Sequence, residues 1–337
     1  MSQPAAGPTA EDYGGQTLAN GIRLHGWRFE SNEGPIASAG ELKELRARLQ
    51  EGASTEEHLP KLPEAIFNKN TLVMRHEASG AKLSFNAEGA LLHWLTNSLA
   101  HGASGLTVPA AHLGSWKEKV QQQTQQTGDA GRRDWDWTYS NEYSGVGADA
   151  AGGPLPWSPH RGAGIDMALL RKREPILFFA DLPLYQDDLH DNGASEARLR
   201  IRVMPSCFFV LLRHWLRVDG MLVRQHDARF FTRFGTTAAS PPPPLIRLLR
   251  RGSAPLQPLP APPEPEADGR LVEGGAEDTP RPPFVRRADL LPDEQATAAI
   301  LEELPAEVEV VEELPLTAQA QGVEEGVAAL AVSGTES

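Results

Sequence analysis

The chain has 337 residues, a formal net charge of −13 and 40% hydrophobic residues. Its acidic excess lies beyond Gly252 and the chain before that is close to neutral, so the overall charge describes a tail and gives no ground for an acidic enzyme or for nucleic-acid binding. Cys207 is the single cysteine, which excludes an intrachain disulfide and a one-chain zinc cluster built on cysteines.

Residues 1–16 are rich in Gly, Ala and Pro and are expected to be a disordered N-terminus, with no basic and apolar leader after Met1. Ile22, Leu24, Trp27 and Phe29 suggest a first strand with Gly26 as a bulge. Leu42, Leu45 and Leu49 recur at helical spacing in Glu41–Gln50. Thr71–His76 and Lys82–Asn86 read as strands around a Ser79-Gly80 turn. Leu91, Leu92, Leu95 and Leu99 give Gly89–Leu99 an apolar helical side, whereas Ser115–Gln126 has no apolar face and reads as a loop or a solvated helix. The aromatic run from Trp135 through Trp137 and Tyr139 fits a strand, and Ser144–Gly164 reads as a Gly/Pro-rich loop.

Asp166 is a suitable N-cap for a helix that must end before Pro175. Ile176–Phe179 and Leu184-Tyr185 are apolar pieces on either side of Pro183. Arg198, Arg200 and Arg202 alternate with Leu199, Ile201 and Val203, the pattern of a half-buried strand with an arginine face. The run after Pro205 is ambiguous by period alone. It is interrupted by Arg213, His214 and Arg217 and is too short to span a bilayer. Asp219-Gly220 between two apolar stretches is a hairpin signal and favours strands for at least its second half. Leu245–Arg250 could be one last strand. Residues 252–337 are Pro-rich and then acidic, with a short echo of Glu302-Glu-Leu-Pro305 in Glu312-Glu-Leu-Pro315, and no element is expected there.

Several blocks in order carry a resemblance: His25-Gly-Trp-Arg-Phe29, Leu62-Pro-Glu-Ala-Ile-Phe67 with Leu83-Ser-Phe-Asn-Ala87, Asp136-Trp-Thr-Tyr139, Asp188-Leu-His-Asp-Asn-Gly193, and Arg200-Ile-Arg-Val-Met-Pro-Ser206 through to Arg229. Together they resemble the TIPRL family (TOR-signalling-pathway-regulator-like proteins). The resemblance implies one α+β domain over residues 17–251, with antiparallel β-sheets packed together, flanking helices and disordered extensions at both ends. It implies a non-enzymatic regulator, without a cofactor or metal, that binds the catalytic subunit of type-2A-like Ser/Thr phosphatases. It further implies cooperation with an alpha-four-type subunit in TOR-linked signalling, a cytoplasmic location with the nucleus as a second one, and no membrane or nucleic-acid partner. Family phosphatase-facing positions fall at Gly89, Ile165, Gln225 and Asp227. Gly89 stands where relatives carry an acidic residue and Gln225 where they carry an apolar one. Arg224 and Arg229 are expected neighbours of Asp227 in that contact.

Other readings of the same residues remain open. The arginine stripe could receive an acidic or phosphorylated partner through fork-shaped guanidinium contacts, or be a solvated strand face. Asp187-Asp-Leu-His-Asp191 could serve a metal-assisted hydrolase, although Asn192-Gly193 marks a turn in which aspartates ordinarily bond backbone amides. Trp135, Trp137, Tyr139 and Tyr143 could line a groove for an extended peptide such as the phosphatase C-terminal tail, or be core. The polyproline stretches read as ligands or spacers, and the acidic tail could fold back over the arginine stripe. Cys207 is expected to be an inert buried thiol.

Overall fold

The computed structural model describes residues 7–52, 62–100, 141–162, 164–189, 193–218, 222–235, 242–255 and 306–316; for 97–100, 218, 222, 254–255 and 308 it describes the backbone alone. Fourteen strands are present among them: β1 Gln16–Leu18, β2 Gly21–Leu24, β3 Trp27–Asn32, β4 Ala65–Ile66, β5 Thr71–His76, β6 Lys82–Asn86, β7 Val146–Ala148, β8 Ser158–Pro159, β9 Phe178–Asp187, β10 Gly193–Val203, β11 Cys207–Val218, β12 Leu222–Arg233, β13 Leu245–Pro255 and β14 Val308–Leu314. Helices α1 Ala39–Gly52, α2 Ala87–Ala100 and α3 Met167–Leu170 join them. All strand pairings among the described residues are antiparallel. One sheet has the order β1-β2-β3-β5-β6-β7 and the other β4-β9-β10-β11-β12-β13-β14-β8. The α+β architecture of two antiparallel sheets with few helices is the one the family resemblance implies.

Alternation explains how the sheets meet. Phe208, Val210 and Leu212 of β11, and Ala228 and Phe230 of β12, point to one side and join a single buried cluster with Phe29, Met74 and Phe85 of the smaller sheet. Aromatic edges bridge the layers. The Phe208 ring centroid lies 4.9 Å from Trp27 and 4.8 Å from Phe29, and Phe85 lies 5.4 Å from Phe230. Helix α2 adds Ala90, Leu91, Trp94 and Leu95 to the same cluster, and α1 adds Leu45 and Leu49.

Several local expectations are corrected. Gly26 is no bulge: His25 (φ 47°) and Gly26 (φ 78°) form the two-residue turn between β2 and β3, both in the left-handed region that such hairpins require. Residues 144–164 are not loop throughout, because β7 and β8 lie within them. Pro183 does not separate two apolar pieces. It sits inside β9, where the partner register passes from Arg198↔Pro183 to Ala197↔Tyr185, so Leu184 is an extra residue in a bulge beside the proline. Strand β11 covers the first half of the ambiguous run as well as the second. The N-terminal segment holds a 3-10 turn at Glu11–Tyr13, with Ala10 buried.

The largest correction concerns the tail. β13 continues to Pro255, past the expected boundary at residue 251, and Val308–Leu314 from the acidic tail pairs along it. The Pro-rich, acidic composition of the tail masked this, although Val308-Glu-Val-Val311 has the β-branching and alternation of a strand; its partner edge lies far away in sequence. The aromatic block at 134–140, the segment 115–126 and the Asp219-Gly220 turn lie outside the described residues. The pairing of Val218 with Leu222 nonetheless joins β11 and β12 as a hairpin.

Candidate protein-interaction face

The side of the large sheet that faces away from the core is built from the alternate positions of its strands. Register aligns these positions in rows. One row runs Arg198, Arg213, Asp227, Arg250, Glu309 across β10 to β14. The next runs Asp181, Arg200, Leu211, Arg229, Leu248, Val311. A third runs Phe179, Arg202, Phe209, Phe231, Ile246, Glu313. The face therefore mixes arginines with aliphatic and aromatic side chains, of which Phe179 is 58% exposed.

Asp227 is the centre of this face, with no exposed surface of its own. Arg213 donates to it from Nε at 2.8 Å and from the terminal nitrogen at 2.9 Å. Arg229 donates at 2.6 and 3.1 Å, and Gln225 Nε2 at 2.8 Å. Burial works against the carboxylate, but the bonds and charges of Arg213 and Arg229 outweigh it and hold the Asp227 pKa below its usual value. One carboxylate thus fixes two guanidinium groups that stay partly exposed, at 29% and 25%, and leaves the cluster with a net positive charge. Such a pre-set pair of forks suits a carboxylate or an acidic side chain of a partner.

The arginine stripe is bonded within the sheet. Arg198 and Arg200 both donate to Asp181, at 2.6 and 3.0 Å, and Arg198 also reaches Glu196. Arg202 donates to the Leu170 carbonyl oxygen at 3.1 Å. Helix α3 covers one end of the face. Asp166 caps it by accepting from the Leu169 amide at 2.9 Å and also pairs with Arg233. Ile165 and Leu169 pack there against Leu170, Met204, Cys207 and Phe231. Cys207 is fully buried, and burial is the main influence raising its pKa.

The six expected partner-contact residues therefore divide. Ile165, Gln225, Asp227 and Arg229 share the outer face. Asp227 has no accessible surface, so any part it takes in a contact runs through Arg213 and Arg229, and the expectation of direct contact is corrected to one of organisation. Arg224 lies on the opposite, core-facing side by alternation, with burial the chief influence lowering its pKa and Glu307, Arg251 and Glu142 nearby. Gly89 belongs to α2, which also packs on the core side. A Cβ at Gly89 would come within 2.9 Å of the Tyr143 hydroxyl and 3.1 Å of Asn86 Oδ1, so an acidic side chain there requires Tyr143 to move. Arg213 was missed. Reflecting the chain through Gly220 pairs it with Asp227, and that step was available in the sequence.

The acidic alternative is less well supported by geometry. Glu64, Asp187 and Asp188 bring one ligand atom each within 4.8 Å of one another. However, Asp187 accepts from the Leu189 amide at 2.7 Å and from the Glu64 amide at 3.2 Å, the usual bonding of a turn aspartate. His190 and Asp191 lie outside the described residues. On the core side of the sheet, Asn141 donates to the Tyr185 hydroxyl at 2.8 Å and Tyr143 is buried, so the one described residue of the aromatic set is core. Beside them His214 is buried with neither ring nitrogen hydrogen-bonded, and burial lowers its pKa from the usual 6.5 to about 3.

Residues 65–250 match the TIP41-like family. A TIP41-like protein of Arabidopsis thaliana is 35% identical over 232 residues, which cover 65% of this chain and 73% of that protein. The human TIP41-like protein is 32% identical over 210 residues, covering 61% and 68%. The type 2A phosphatase activator TIP41 of Saccharomyces cerevisiae is 28% identical over 229 residues, covering 63% and 58%. The matched span runs from β4 into β13 and includes every strand of the arginine-rich face except β14. This chain belongs to the TIP41-like family, the family of the TIPRL proteins.

Proposed function

We propose that the chain is a non-enzymatic regulator of type 2A phosphatases that binds the catalytic subunit through the outer face of the large sheet. Family membership and the yeast relative, a type 2A phosphatase activator, support a phosphatase regulator. The observation that carries the surface is the Asp227 cluster, in which a buried carboxylate holds Arg213 and Arg229 side by side next to Leu211 and Leu248. Charged forks beside aliphatic side chains give register and on-rate through charge, and affinity through apolar burial. Ile165 borders the contact beside α3, and Gln225, itself buried, acts by holding Asp227. Partnership with an alpha-four-type subunit, action in TOR-linked signalling and a cytoplasmic location, with the nucleus as a second one, are part of the same reading.

The test is capture of a recombinant type 2A catalytic subunit by the full chain in ~150 mM salt. Arg213→Glu and Arg229→Glu are expected to weaken capture at least tenfold while the circular dichroism spectrum is retained. Unchanged capture by both folded variants would remove the face from the mechanism. Failure of the unaltered chain to capture the subunit would remove the function.

A further inference from the structure

β14 is a segment of acidic tail lying between two strands of the main body, and its surroundings resemble a built receptor for an extended peptide. On one side it pairs with β13 from Leu245↔Leu314 to Arg251↔Val308. On the other it pairs with β8 through Glu312 and Glu313, and the His160 amide donates to the Val311 carbonyl oxygen at 2.9 Å. Side chains read its sequence. Arg247 donates to Glu312 at 2.6 and 2.9 Å while its guanidinium lies 4.1 Å from the centre of the Trp157 ring. His160 Nδ1 meets Glu313 at 2.5 Å. Leu314 and Leu316 are each 2% exposed and join the main core cluster. Arg250 and Arg251 meet Glu309 and Glu307 at 3.8 and 3.4 Å.

We propose that the space between β13 and β8 is a strand-receiving slot, occupied here by the chain's own Val308–Leu316. When that strand leaves, the slot takes an extended acidic segment of a partner protein with the pattern acidic, acidic, Leu, Pro, apolar. Three observations carry this. The slot has walls on both sides, a cation stacked on an aromatic ring and a pocket for two leucines, so it selects side chains as well as backbone. Its occupant lies beyond residue 250, where the family match ends, and 52 residues separate it in sequence from β13. The tail also carries the pattern twice, at Glu302-Glu-Leu-Pro305 and Glu312-Glu-Leu-Pro315, while the slot holds one copy. The outer ion pairs, with Glu309 51% and Glu307 41% exposed, add little, so the hold rests on Glu312, Leu314 and Leu316. The tail strand then acts as a removable cover over a docking edge, independently of the phosphatase reading.

The experiment uses the full chain with a protease site inserted between Gly274 and Gly275, cut after purification. The probe is a fluorescent peptide of residues 306–317. Saturable binding is expected for the cut protein, at least tenfold tighter than for the uncut chain. Arg247→Glu in the protein, or Glu312→Lys in the peptide, is expected to weaken it at least tenfold, and combining the two to recover part of the loss. If the cut tail survives gel filtration, an overnight excess of peptide is expected to displace it. No saturable binding, equal binding of a scrambled peptide, equal binding to cut and uncut chain, or a retained tail that the peptide cannot displace would each overturn the proposal. Dimers formed by exchange of tails would assign the slot to a second copy of this chain, and would also overturn it.

Discussion

Arg213 and Asp227 stand opposite each other on β11 and β12 and are joined by two hydrogen bonds, at 2.8 and 2.9 Å. The carboxylate is fully buried while the guanidinium keeps 29% of its surface exposed. The relationship turns a strand residue with no surface into the organiser of a surface.

Replacing Asp227 with Ala leaves Arg213 and Arg229 facing each other without their shared anion. Breaking a buried pair costs about 3–5 kcal/mol, and the partial exposure of both arginines brings the expectation to about 2–4 kcal/mol. A urea melt of Asp227→Ala against the parent measures it. Asp227→Lys, which would bury a third cation in this cluster, should be worse.

The two sheets close over one shared buried cluster. Phe208 is fully buried between Trp27 and Phe29, and Phe208→Ala should cost about 3–5 kcal/mol through lost contact and the cavity left behind. A much smaller shift in the denaturation midpoint, with unchanged slope, would mean that the layers close over the gap.

Buried neutral histidine links stability to acid. His214 has a folded pKa of about 3 against the usual 6.5, with burial as the first cause. Between those values the unfolded chain binds a proton that the folded chain does not, so stability is full above pH 6.5 and falls as pH drops toward 3. The slope from this one group is about 1.4 kcal/mol per pH unit at most. His214→Leu should flatten the fall between pH 6 and pH 4.5, a window above the usual carboxylate range, where Asp227 stays ionised in both states. An unaltered pH profile in the variant would count against a buried neutral ring.

Asn141 fastens the chain leading into β7 to the core. Its amide donates to the Tyr185 hydroxyl at 2.8 Å, and its carbonyl oxygen accepts from the Tyr143 amide at 3.0 Å. Asn141→Ala deprives both groups of that partner inside the protein, at about 1–3 kcal/mol. In a double-mutant cycle, Tyr185→Phe should cost less in the Asn141→Ala background than in the parent. Equal costs would show that the two side chains act independently.

Much of the fold was legible because period carries it. Thr71–His76 and Lys82–Asn86 have the bounds read from alternation, and Arg198–Val203 points its arginines away from the core as the pattern requires. The Asp166 cap was legible because an N-cap is a local device. The β9 bulge was not, since Pro183 looks like a break until a partner strand shows how the extra residue is absorbed. Of the residues expected to meet a partner, Arg224 falls on the side opposite Asp227 and Arg229, because positions an odd number apart on a strand point to opposite sides.

The sequence by itself determined the family, through ordered motifs, and with that resemblance the class of fold; alternation determined the arginine-rich strand, because motifs and period are local properties. Tertiary structure alone decided three things: that Asp227 lies beneath the surface it organises, that Arg224 and Gly89 lie on the core side, and that an acidic tail supplies β14. Each depends on which strand edge lies beside which, and register between distant segments is set by the packing of the whole sheet.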